Sequence, residues 1–132
     1  MRILLLLPLL AACATTPPPC PPGSQAATRL EAYFGRDAGG AEVVDEAAWA
    51  RFLDEVVTPA FPDGLTVLDG AGQWRGASGR IARERSKLLV VLAPGATPAA
   101  ATARLAPVVA MFRARFAQES VMVTTSGACV RF

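Results

Sequence analysis

The sequence predicts an α+β domain, an antiparallel sheet with two helices on one face, and three observations carry that reading. Residues 88–92, Leu88, Leu89, Val90, Val91 and Leu92, form an unbroken apolar run, the length and composition of a central strand buried on both faces. Trp49, Phe52, Leu53 and Val56 fall at i, i+3, i+4 and i+7, one stripe of a helix. Gly and Pro breaks then divide the apolar segments into the order β-α-β-β-α-β.

The chain begins with Arg2, an apolar run over residues 3–10, and Ala11-Ala12-Cys13. That run is shorter than the roughly 20 residues a membrane-spanning helix needs, and it suits the hydrophobic region of a secretory signal. Residues 1–12 are therefore expected to be a signal peptide. Leu10-Ala11-Ala12-Cys13 resembles the lipobox of bacterial lipoproteins, which implies lipidation of Cys13 with palmitate-type acyl chains. Two or more such chains make a stable membrane anchor. Ala14 follows the cysteine in place of the aspartate that resembles an inner-membrane retention signal, so the expected location is the outer membrane, facing the periplasm. Residues 13–27 are a lipidated tether whose five prolines between Pro17 and Pro22 favour extended polyproline II.

Residues 28–132 are expected to form one α+β domain. Residues 30–35, LEAYFG, read as a first strand, broken by Asp37-Ala38-Gly39-Gly40. Asp45 is a helix N-cap followed by Glu46 in the first turn, and Thr58-Pro59 ends that helix. The next pair of strands frames residues 61–92. Leu65, Val67 and Leu68 lead out, the apolar run leads back, and the middle is polar and glycine-rich, which favours a bulge and a turn. Thr97-Pro98 caps a second helix whose stripe is Leu105, Val109, Phe112 and Phe116. Pro107 inside it predicts a kink, or a start near Ala103. Residues 121–125 make the fourth strand, with Gly127 expected to bulge it before Cys129. Right-handed crossovers then give a ferredoxin-like plait with strand order 4-1-3-2. This order sets the entry to strand one beside the exit of strand four, so Cys20 and Cys129 are candidates for a disulfide.

With 13 basic and 11 acidic residues the chain carries a formal +2, too little to indicate a nucleic-acid partner. There is no histidine, which removes imidazole general acid/base chemistry, histidine-activated nucleophiles and imidazole metal ligands. No catalytic constellation, cofactor site or metal site is expected.

One polar constellation remains: Asp63, Asp69, Gln73, Trp74, Arg75, Arg83, Glu84 and Arg85, with Tyr33 and Arg36 as further lining residues. On strands, Gln73 and Arg75 share a face opposite Trp74, and Arg83 and Arg85 share a face opposite Glu84. Arginines beside a tryptophan suit a carboxylate, phosphate or sugar. The same residues equally suit cross-strand ion pairs and a packed tryptophan on a solvated hairpin.

YFGR at Tyr33 to Arg36, FPDGLTVLDGAGQW at Phe61 to Trp74, RERSK at Arg83 to Lys87 and QESV at Gln118 to Val121 together resemble a family of small bacterial lipoproteins catalogued only as a domain of unknown function. The resemblance implies an envelope address and carries no activity. The reading it leaves is a membrane-tethered lipoprotein that binds a protein or glycan partner through the exposed sheet face or the hairpin tip. The alternative is a small-ligand binder or cofactor-independent enzyme, with two copies associating through their sheets around a pocket of Tyr33, Arg36, Trp74 and Glu84.

Overall fold

The computed structural model describes residues 19–75 and 78–132; the expected signal peptide and Cys13 lie outside them. The chain folds as a mixed α+β domain on a four-stranded antiparallel sheet. Its strands are β1 (Gln25–Gly35), β4 (Thr66–Arg75), β5 (Ile81–Pro94) and β6 (Met122–Val130), in the order β4-β5-β1-β6. A two-stranded hairpin, β2 (Asp37–Ala38) with β3 (Ala41–Glu42), projects from the end of β1.

Alternation decides which face is covered. Leu30, Ala32 and Phe34 of β1 and Leu89, Val91 and Ala93 of β5 are buried, and register pairs Leu30 with Val91 and Ala32 with Leu89. Since paired residues point the same way, these form one apolar face. Phe34 is its centre: its ring lies 5.5 Å from Trp49, 6.1 Å from Phe52 and 4.6 Å from Phe112. The helices that supply those rings therefore sit together on that face.

Asp45 caps α1 (Glu46–Phe52) by accepting a hydrogen bond from the Ala48 amide. The helix ends one residue beyond the Thr58-Pro59 stop that the sequence suggests. It runs through a π-helical turn, Leu53–Val57, into α2 (Thr58–Ala60). The wider turn lets the Thr58 amide reach the Leu53 carbonyl, and Pro59 falls in the first positions of a new helical turn, where its missing N–H costs nothing.

Helix α3 (Pro98–Phe116) also departs from expectation, continuing through Pro107. Pro107 lies on the exposed side, where water can satisfy the freed carbonyl. The opposite side buries Ala101, Leu105, Val108 and Phe112. At about 1.5–3 kcal/mol for each large side chain, that burial outweighs the roughly 3 kcal/mol of an interior proline.

The expected bulges are absent among the described residues. β4 pairs with β5 continuously from Thr66–Val90 to Arg75–Ile81, and β6 with β1 continuously through Gly127–Thr28. Gly72 and Gly127 occupy ordinary paired positions, with open space where a side chain would be. The β1–β6 register places Cys129 opposite Ala26, and Cys129 is disulfide-bonded to Cys20, with Cα atoms 5.6 Å apart.

Candidate functional site

The two faces of the sheet divide the polar residues into separate groups. On the helix side, past the end of the core, lies an ionic network anchored by two buried cations. Arg36 is 2% exposed and Lys87 4%. Arg36 donates from Nε to the Val44 carbonyl at 2.7 Å, from Nη1 to Glu46 and from Nη2 to Glu42. Lys87 donates from Nζ to Glu46 at 2.8 Å and to Asp69, and Arg85 donates to Glu42. Every donor cluster here already has a partner within the fold. The network ties β1, the β2–β3 hairpin, α1, β4 and β5 together.

The electrostatics follow from those bonds. The hydrogen bond from Lys87, then that from Arg36, holds the Glu46 carboxyl below its usual value, and Arg85 does the same first for Glu42. Burial pulls the Lys87 ammonium down, but hydrogen bonds to Asp69 and Glu46 outweigh it and hold it above its usual value.

Beyond the network, where the β2–β3 hairpin meets the β4–β5 arm, an open groove of about 590 Å³ reaches both faces: Gln73, Arg83 and Arg85 line it from the helix side, Gly72 and Glu84 from the other, and Asp37 and Glu42 from the hairpin. Gln73 stands opposite Arg83 in the register. Arg75 is turned back onto the Gly79 carbonyl at 3.0 Å.

Among the described residues, no helix covers the other face of the sheet. Register runs a row of Leu68, Leu88, Tyr33 and Met122 across all four strands of this face. Leu68 is 50% exposed, Trp74 53% and Met122 58%, and Leu92 is also exposed. Tyr33 donates to Glu31 at 2.9 Å, and Arg29 binds the same carboxylate. Arg29 first, then Tyr33, lowers the pKa of Glu31, which in turn raises that of the phenol.

Towards the arm, the open face becomes polar and nearly bare. Gly70, Gly72 and Gly35 surround Ser86 and Glu84. A Cβ on Gly35 would come within 3.1 Å of the Glu84 carboxylate, and one on Gly70 within 2.8 Å of Ser86 Oγ. Glu84 is half-buried, and burial first and the charge of Asp37 second raise its pKa, with no cation among the described residues offsetting either. Trp74 shares its face, two residues along β4 from Gly72. At the far end of the same face, Thr66, Val90, Leu92, Pro94 and Phe132, with Asp63 at the rim, line an apolar groove of about 580 Å³.

The residues singled out from the sequence thus fall into four places. Tyr33, Trp74 and Glu84 share the open face. Arg36, Asp69 and Arg85 belong to the ionic network on the other side, so Arg36 does not join Tyr33 and Glu84 in one pocket. Gln73, Arg75 and Arg83 lie on the arm, and Asp63 sits in a turn at the opposite end. Sequence reasoning missed Glu42 as the acceptor shared by Arg36 and Arg85. It also missed the row through Leu68, Leu88 and Met122, which strand alternation from Val67 and Leu89 would have exposed.

Solved structures with the same fold include a phage SAM lyase in complex with S-methyl-5'-thioadenosine. It has 14% identity and a TM-score of 0.59, over 89% of this chain and 97% of that one. The phage SAM lyase in its apo state has 14% identity and a TM-score of 0.58, over 97% of both chains. At that identity the likeness shows a shared fold. No curated protein matches the sequence. The family described as "Protein of unknown function (DUF3574)" matches residues 29–132, nearly the whole sheet and all of its helices, and the chain belongs to that family.

Proposed function

We propose that this protein is an envelope lipoprotein: a signal peptide over residues 1–12, a lipid on Cys13, a proline-rich leash, and a ferredoxin-like plait that binds a protein partner through the uncovered sheet face. The observation that carries the binding role is the exposure of Leu68, Trp74, Leu92 and Met122 on that one face. An apolar patch spanning four strands is larger than isolated surface residues explain, and such patches mark interaction sites. The apolar character of the row favours a protein over a glycan. The expected address is the outer membrane, facing the periplasm, on the strength of the residues around Cys13.

Hydroxyl-radical footprinting in intact cells tests the binding role. Trp74 and Met122 are expected to be protected there and oxidised readily in the dilute purified chain; equal oxidation in both settings would refute it. Palmitate labelling that is lost in Cys13→Ser tests the anchor.

A second reading, a small-ligand binder or cofactor-independent enzyme, is favoured by Glu84, a carboxyl held above its usual value beside a glycine-lined patch and an exposed tryptophan. Its residues would be Tyr33, Trp74 and Glu84, without Arg36.

A further inference from the structure

The open face, already read as a binding surface, is complementary to itself. Leu88 is the midpoint of this face along β5. Trp74, the largest exposed projection, stands opposite Ala82, six residues to one side of Leu88. Pro94, in the wall of the apolar groove, stands six residues to the other side. At about 3.4 Å per residue, the knob and the hole each lie roughly 20 Å from Leu88.

The charges repeat the pattern. Glu84 is four residues from Leu88 on the arm side, and Leu92, paired with Arg29, is four residues away on the other side. No cation among the described residues offsets the charge of Glu84, and the Arg29 guanidinium, although bonded to Glu31 at 2.6 Å, keeps 45% of its side chain exposed for a second acceptor.

We propose that two copies of this chain pack open face to open face about a two-fold axis lying along the row Leu68, Leu88, Tyr33 and Met122, a packing that rests on the binding role given to that face. The axis exchanges the two ends of each strand. Trp74 of each copy then enters the groove at Leu92, Pro94 and Phe132 of the other, and Glu84 of each comes over the row that holds the other's Arg29. Such an interface is isologous: every contact occurs twice, and closure leaves no free patch to propagate.

The competing two-fold, running parallel to the strands, is disfavoured by the same residues. It lays each strand level over its own level, bringing the Glu84 carboxylates of the two copies together. Like charges juxtaposed in a closing interface oppose it, and complementary ones select register. It also leaves both grooves empty and both Trp74 rings exposed.

The available surface is adequate. Four strands at about 4.8 Å spacing and about ten residues at about 3.4 Å give a face of roughly 650 Å² per copy, close to the roughly 800 Å² per partner of a standard interface.

Cross-linking of introduced cysteines with a short bis-maleimide, in the full chain extracted into detergent with micelles in large excess over protein, tests the register, because facing sheets stand about 10 Å apart, beyond the reach of a direct disulfide. Leu88→Cys lies on the axis and is expected to trap a covalent dimer well above the background of the wild type, which carries Cys13, Cys20 and Cys129. Trp74→Cys is expected to link only when mixed with Pro94→Cys. No link above background at Leu88, or a Leu88 link without the mixed Trp74–Pro94 link, overturns the proposed packing. If those links fail while Trp74 and Met122 remain protected in cells, the packing is wrong and another protein covers the face. If both fail, the binding role falls as well.

Discussion

Lys87 stands opposite Asp69 in the β4–β5 register, and its ammonium, almost wholly buried, is bound by that carboxylate and by Glu46 from the first helix. Both acids are largely exposed, at 77% and 66% of their side chains. Removing the lysine therefore leaves no charge stranded in the interior. Lys87→Met is expected to change unfolding free energy by less than about 1 kcal/mol, since a buried cation exchanged for an apolar chain of similar volume is often neutral. Urea denaturation checks this.

Arg36 should behave differently. It satisfies the carbonyl of Val44, a residue with no solvent exposure, besides two carboxylates. Arg36→Met leaves that carbonyl unpaired, and the expected loss is about 2 kcal/mol, the scale for a buried acceptor left unsatisfied. The two substitutions side by side in the same urea titration separate a buried cation that serves packing from one that serves the backbone.

The acid side of the stability profile follows from the carboxylates. Glu31, Glu42 and Glu46 are each held below the usual value, first by hydrogen bonds from Arg29, Arg85 and Lys87 respectively. A folded-state pKa below the unfolded one contributes stability that is present at neutral pH and lost as pH falls through the folded value. Glu84 has the opposite sign: its raised pKa favours the fold below the unfolded value, and that contribution is lost as pH rises through the folded one. Three lowered groups against one raised predict net loss of stability below about pH 4. The double variant Glu42→Gln with Glu46→Gln is expected to melt at lower temperature at neutral pH and to show a flatter acid limb. An unchanged limb would contradict the assignment.

Helix α3 ends at Ala117 in the left-handed conformation, φ 52°, with its amide bonded to the Arg113 carbonyl. Glycine usually fills this position because a Cβ is strained there. Ala117→Gly is expected to raise stability by about 0.5–1 kcal/mol, the strain relieved less the extra freedom of the unfolded chain. Thermal unfolding reads the change.

The bond between Cys20 and Cys129 closes a span of 109 residues. Cys129→Ser is expected to cost about 3–5 kcal/mol, in line with loop-closure entropy for long loops. Alkylation of the unfolded, unreduced chain should leave both cysteines unmodified.

Much of this fold was legible because its strongest signals are long and periodic. The run over residues 88–92 became part of β5, covered on one face only, with Leu92 exposed on the other, and Trp49 with Phe52 became the buried side of α1. The β2–β3 hairpin was not legible, since strands of two residues carry no period, and Glu42 was lost with it. Pro59 marks the helix end to within one residue, whereas Pro107 breaks nothing, because the apolar burial of Leu105, Val108 and Phe112 outweighs the local propensity of a proline. The grouping of Tyr33 with Arg36 failed on parity. Three residues apart at a strand's end, they leave on opposite faces, which separates the ionic network from the open face.

The join at Cys129 also has a mechanical meaning. Residues 19–24 enter the sheet at the end opposite the β4–β5 arm, and the cross-link fastens this entry to β6, the outer neighbour of β1. A pull applied to residues 19–24 is thus shared by an edge strand and a central strand at once. The sheet meets such a pull as a clamped ribbon that must shear along its length, with no loose end from which to be peeled.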